Sequence, residues 1–349
     1  MITSDKYINA VTYTKAIGIM LMVFAHAIDN PPADNGYLIL WKIIYTFHMP
    51  LFFIMSGYCF KETYLDNSLL FLWRKIKGIY IPFIAYTLVF IALHNLLCTL
   101  HIYESTDFLQ PKDMLLRAVR AVTIMERKGT MLGTFWFLRE LLFGNIFFFF
   151  TLKLCRRNKW ITTTILLVLT ELFAVTKFCV PGFRITYLSF FAATFIAIGH
   201  IIRTTDFRLN TWWKIGIGLT LVAAEVVLAD NFRMDEQTPV SILFYILPAM
   251  AGTMLVYEFS TWLNHIKQSP ILTFVGRHTL PVMALHFLSF KLVSLLIINV
   301  YCLSIADLAE FPVMRDFAFQ GWWVLYTVVG ITIPLFLVFF RTLCSKNQR

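Results

Sequence analysis

Long apolar runs separated by short polar stretches make up most of the chain. A helix needs about 17 to 25 predominantly apolar residues to cross the hydrocarbon core of a bilayer. Ten runs meet that length, near residues 7–28, 37–60, 78–98, 133–152, 160–176, 185–202, 212–229, 239–262, 280–300 and 322–340. The pattern predicts an all-α polytopic membrane protein with about ten transmembrane helices in one membrane-embedded domain, residues 1–349, with no internal repeat. The first run stops at Asp29-Asn30-Pro31-Pro32, where two prolines end helix propagation. Within it, Ala25-His26-Ala27 imitates a signal cleavage site, but its length and the nine further spans predict a retained helix. The connection over 99–132 is long for a membrane protein. Its part from Asp113 to Met125 reads as an amphipathic helix, with Met114, Leu115, Ala118, Val119, Val122 and Met125 on one side. Asp113, Arg117 and Arg120 occupy or flank the other side, so the helix is expected at the membrane interface, as a lid over an outer cavity. The last run ends before Arg341 and a short basic tail, and no fused second domain is expected.

Composition agrees with this reading and removes others. Of 349 residues, 58% are apolar and only 14% charged, with mean hydropathy +0.70, which excludes a soluble domain of ordinary composition. The net charge of +10 is not a nucleic-acid signal, because the basic residues concentrate in alternate connections. One set holds Lys6; Lys61, Arg74, Lys75 and Lys77; Lys153, Arg156, Arg157 and Lys159; Arg203, Arg208 and Lys214; Lys267 and Arg277; and Arg341, Lys346 and Arg349. The positive-inside rule makes that set cytoplasmic and puts both termini there. Cys59, Cys98, Cys155, Cys179, Cys302 and Cys344 have neither paired nor metal-ligand spacing, so no disulfide framework and no metal are expected.

Against this apolar background, a few ionisable positions stand out. Lys15 and His26 lie in the first run; at about 100° and 1.5 Å per residue they share one face, roughly 16 Å apart along the axis. His48 follows in the second run, two residues before Pro50. Each ionisable group at bilayer depth costs about 2.5 kcal/mol or more, so such groups face a protein interior or a wet cavity. A single histidine of this kind is as readily a packing residue, but three polar positions on consecutive helices form the pattern of a lined site. Asp29, three residues after His26, is at a spacing that allows a carboxylate to fix the imidazole tautomer, or simply sits at the outer interface.

Lys15, ten residues, His26, followed by Phe47-His48-Met49-Pro50-Leu51-Phe52-Phe53-Ile54-Met55-Ser56-Gly57-Tyr58, resembles the signature of the membrane-bound acyltransferase-3 family. The second block is the specific part of that match. Arg74-x-x-Lys77 stands where the family often has Arg-x-x-Arg, and Phe135-Trp136-Phe137-Leu138 is similar to its Trp-Phe-Leu block, followed here by Arg139 and Glu140. As neighbours about 100° apart on a helix, Arg139 and Glu140 are not an automatic pair. The stretch from Leu272 to His286 resembles the closing block, with Gly276 and His286 matching, His278-Thr279 in place of Asn-Ser and Met283 in place of an aromatic.

The resemblance implies an O-acyltransferase of the bacterial cytoplasmic (inner) membrane, moving acetyl from acetyl-coenzyme A to a hydroxyl of a cell-envelope sugar or glycan. The catalytic set is expected to be His26, Lys15, His48 and Asp29, with His26 as general base or, alternatively, as the carrier of a transient acyl group. Arg74, Lys77 and Lys15 would meet the phosphates of coenzyme A, although ordinary positive-inside anchoring accounts for the first two equally. Trp136, Arg139, Glu140 and His286 fall on the acceptor side. The competing class is a polytopic transporter or exporter of a polar or glycan substrate, for which buried charges and prolines are equally expected.

Overall fold

The computed structural model describes residues 4–33, 36–104, 106–180, 182–205, 210–229, 231–266 and 268–346, with side chains described from residue 9 to residue 344. The side chains of Lys6 and Lys346, and Arg208, Lys267 and Arg349 altogether, lie outside the described residues. The helices are α1 Ser4–Ala27, α2 Tyr37–Tyr58, α3 Ser68–Lys75, α4 Ile81–Thr99, α5 Pro111–Ile124, α6 Trp136–Leu154 and α7 Lys159–Thr176. They continue with α8 Tyr187–Thr204, α9 Thr211–Leu228, α10 Pro239–Ile266, α11 Pro270–Arg277, α12 Thr279–Tyr301, the single turn α13 Arg315–Phe317, and α14 Trp323–Lys346. Among the described residues, ten helical segments are long and apolar enough to cross a membrane, and no β-strand is formed. The protein is an all-α multi-pass membrane protein.

The ends of these helices follow local chemistry. Asn158, Thr186, Asn210 and Ser269 each place a side-chain oxygen on the free N–H groups of the next turn, opening α7, α8, α9 and α11. Among the boundaries that differ from the sequence expectation, two have a local cause. The third apolar segment begins at Ser68 rather than 78, because α3 runs into α4 through a widened turn, Ile76–Tyr80, with i→i+5 bonding. The connection after α4 does form a helix, α5, two residues earlier than the pattern placed it, with Pro111 in its first turn. Leu115, Leu116, Val119 and Val122 are exposed on α5, while Ala121 and Met125 are buried.

The chain divides into two compact units. Unit 1 comprises residues 1–11, 42–84 and 136–266. In it α8 packs on α6 and α7, and α9 on α10. Helix α8 is almost wholly buried, and its Ala192, Ala193, Ala197 and Gly199 keep its surface flat. Gly57 of α2 and Gly199 of α8 form a reciprocal crossing: a Cβ on either would overlap a backbone carbonyl of the other helix, at Ile196 and Ile54 respectively. Ser56 Oγ donates to Asn145 Oδ1 at 3.0 Å, and the Tyr58 and Tyr257 hydroxyls lie 2.9 Å apart. The Ser-Gly-Tyr end of the second sequence block is therefore a helix joint.

Unit 2 comprises residues 12–41, 85–135 and 267–349. It pairs α12 with α14 and holds most of α1. Tyr13, fully buried on α1, binds the backbone N–H of Ser269 and donates to its carbonyl at 3.3 Å, seating the start of α11. Gly276 lets α11 approach α1 backbone to backbone, since a Cβ there would overlap the Thr12 carbonyl. Buried Tyr326 of α14 pairs its hydroxyl with Ser294 at 2.9 Å and accepts from Met314 N at 3.2 Å. The six cysteines are free thiols.

Candidate functional site

In unit 2 the structure brings together two histidines that are 260 residues apart in sequence. The His26 ring on α1 stacks on the His286 ring of α12, with centroids 5.4 Å apart and planes 28° apart. Phe287 meets both, at 5.0 Å from His26 and 4.0 Å from His286. His286 is fully buried, and its Nδ1 lies 3.1 Å from the Val282 carbonyl and 2.9 Å from that of Met283. Carbonyls only accept, so Nδ1 carries the proton and Nε2 presents a lone pair. That Nε2 is buried and has no hydrogen-bond partner among the described residues. A buried polar atom without a partner is costly, and such atoms mark places where a ligand or ordered water completes the bonding. His26 is half-buried beside it.

Lys15 is half-buried on the same helix as His26, three turns away. Asp29 lies two residues beyond the end of α1 at Ala27 and is half-buried.

His48 belongs to unit 1, where it is buried, with Nδ1 2.9 Å from the Ile44 carbonyl and Tyr45 edge-on at 4.8 Å. Its proton is thus also on Nδ1. Trp136 opens α6 and is half-buried. Arg139 and Glu140, which helix geometry does not pair automatically, do pair: Arg139 Nε and Nη2 reach Glu140 Oε1 at 2.8 and 2.6 Å. The long guanidinium stem curls around the helix to close the 100° between the neighbours. Ser189 of α8 donates to the other oxygen, Oε2, at 2.5 Å, and Glu140 is completely buried. The trio ties α6 to α8.

Arg74 and Lys77 are exposed at the junction of α3 and the widened turn. Arg74 donates to the Tyr64 hydroxyl at 2.7 Å and lies over that ring. Further basic residues of unit 1 are anchored in its connections: Lys153 on Ser68 at 2.8 Å, Arg157 on Asp66, and Lys159 on the Thr204 and Thr205 hydroxyls at 3.0 and 2.7 Å.

The acyltransferase-3 family model, described as an acyltransferase domain, matches residues 8–341. The chain belongs to the acyltransferase-3 family. Comparison with curated proteins and with solved structures finds no match. As an acyltransferase-3 protein with ten candidate spans, it is a membrane acyltransferase.

Lys291 is absent from the residues expected from this acyltransferase-3 sequence. It is a lysine inside the apolar run of α12, 3% exposed, donating to the Leu308 carbonyl at 2.8 Å and the Glu310 carbonyl at 2.5 Å. An ionisable residue within a spanning helix was the available signal. Ser189 is absent from the expected residues too, because its role depends on a partner 49 residues away and has no local signature.

Proposed function

We propose that the protein transfers an acetyl group from acetyl-coenzyme A to a hydroxyl of a cell-envelope sugar or glycan, in the bacterial cytoplasmic membrane, with both termini cytoplasmic. The observation that carries this reading is the His26–His286 pair: two stacked imidazoles, one with an unsatisfied buried lone pair, in a chain of this family.

His26 takes the proton of the acceptor hydroxyl as the oxygen forms a bond to the thioester carbonyl carbon. The tetrahedral intermediate then breaks its carbon–sulfur bond. The coenzyme A thiolate leaves and recovers the proton from His26, giving ester and free thiol. A neutral imidazole, with an ordinary pKa of about 6.5, suits a base at physiological pH. His286 Nε2 accepts a hydrogen bond and cannot donate one in the tautomer its carbonyl contacts select, so it orients the hydroxyl rather than stabilising the oxyanion. Lys15 supplies positive charge on the His26 face. His48 and Trp136 are assigned to substrate contact; Arg139 and Glu140, through their pairing, position α6.

The phosphates of coenzyme A are assigned to Arg74 and Lys77, whose exposed cations offer charge-assisted contacts. Arg74→Ala is expected to raise the KM for acetyl-coenzyme A several-fold and leave the acceptor KM within about twofold, because a solvent-exposed charge contact is worth about 0.2–1 kcal/mol, roughly fivefold at most. Equal rises in both would make Arg74 an anchoring residue. Radiolabel from acetyl-coenzyme A appearing on a glycan in proteoliposomes tests the whole reading; label found only in free acetate would reject it.

A further inference from the structure

Unit 2 contains a partly open cavity of about 540 Å³ at its loops, lined among others by Tyr103, Glu104, Asp107, Asp307, Glu310 and Phe311. Its size lies within the range of about 300–1,000 Å³ usual for small-molecule sites. In a protein of net charge +10, four carboxylates at one cavity are unexpected. Among the described residues, Glu104, Asp107 and Asp307 form no ion pair, and Glu310 Oε1 accepts only the backbone N–H of Arg315, at 2.8 Å. A cleft lined by one sign of charge focuses its potential and repels ligands of that sign.

The carboxylates are not gathered for an ion. Among the described residues, no three His, Cys, Asp or Glu side chains converge on a position that could hold a metal. They are spread around a space that also has two aromatic walls. Tyr103 is 6% exposed, and burial pushes its phenol up to about 12, so it remains a hydroxyl donor at any physiological pH. Dispersed carboxylates that accept from hydroxyls or ammonium groups, with rings to cover an apolar face, suit a sugar.

The cavity also lies one ring away from the histidine pair. Phe311 of its wall packs edge-on against Phe287 at 4.7 Å, and Phe287 touches both His26 and His286. Gly133 makes room for the two rings, since a Cβ there would come within 3.3 Å of Phe287 and 3.8 Å of Phe311. The unsatisfied, fully buried His286 Nε2 stands behind that layer as a hydrogen-bond acceptor still awaiting a donor.

We propose that this cavity receives the acceptor, and that the acceptor is a polyhydroxylated sugar that is neutral or amine-bearing around the acylated hydroxyl, not a glycan carrying carboxylate or phosphate there. The assignment rests on the acyl-transfer reading for its meaning, but its test does not need transfer to occur.

Purified protein in nanodiscs, without acyl donor, is offered maltotriose, glucosamine trimer and trigalacturonate, with binding followed by saturation-transfer NMR. The first two are expected to bind and trigalacturonate is not. Glu104→Gln with Asp307→Asn is expected to weaken the glucosamine trimer at least tenfold, and Asp307→Asn alone by about threefold, converted at about 1.4 kcal/mol per decade. Glu104→Lys is expected to admit trigalacturonate. Binding of trigalacturonate to the unmodified protein as tight as that of the other two overturns the proposal. So does unchanged binding in the double variant, or no binding by any of the three. Label transfer from acetyl-coenzyme A to an envelope-glycan extract, measured on the same preparations, reads the acyl-transfer assignment separately.

Discussion

His26→Ala is expected to lower acyl transfer by about 10²- to 10⁴-fold, the usual contribution of a positioned general base. At about 1.36 kcal/mol per decade this is roughly 3–5 kcal/mol of transition-state stabilisation. Expression, membrane insertion and thermal stability should stay close to the unmodified protein, because His26 is only half-buried and its stacking partner His286 keeps both backbone contacts. The loss should fall on kcat, with KM for acetyl-coenzyme A little changed. His286→Phe is the informative companion: it keeps a ring against His26 and Phe287 but removes Nε2. It should cost less than the alanine change at His26 and should raise the acceptor KM. A purified His26→Ala protein with full turnover would reject the base assignment outright.

Glu140→Ala is expected to destabilise unit 1 by about 3–5 kcal/mol, the usual cost of removing one partner from a buried ion pair. Arg139, whose side chain is 16% exposed, would keep its charge with no carboxylate beside it, and the Ser189 hydroxyl would lose its acceptor. Thermal denaturation in detergent or nanodiscs measures the effect. The double change Arg139→Met with Glu140→Leu should recover most of it, since apolar residues of similar volume often replace a buried pair without loss. If Glu140→Ala instead melted at the unmodified temperature while losing turnover, the carboxylate would be meeting substrate and the structural assignment would fall.

The ten spans were legible in the sequence because the length of a membrane-crossing helix is imposed by the bilayer, and hydropathy alone counts them. The amphipathic helix after α4 was legible for a related reason, its period. The junction of α3 and α4 was not: the widened turn at Ile76–Tyr80 joins an eight-residue amphipathic helix to the apolar run that follows, and no residue type announces i→i+5 bonding. His26 and His286 were each marked by their cost in an apolar run, yet their stacking depends on α1 and α12 lying side by side, which spacing along the chain does not encode. The Arg139–Glu140 pair shows the limit of helical-wheel reasoning. Directions of the Cβ vectors are fixed by the backbone, but a guanidinium on three methylenes can swing back to a neighbour. The cavity carboxylates were invisible for a plainer reason: Glu104, Asp107, Asp307 and Glu310 sit in ordinary polar connections, where acidic residues need no explanation.

Lys291 holds the segment after α12 through two backbone carbonyls, Leu308 and Glu310. A tether of that kind is blind to the side chains it secures. Ile305, Ala306 and Asp307, exposed on that segment, can therefore be exchanged without touching the tether that holds the strap against α12. Recognition there is open to diversification by single substitutions, and loss of Lys291 would remove both of these carbonyl anchors from the strap.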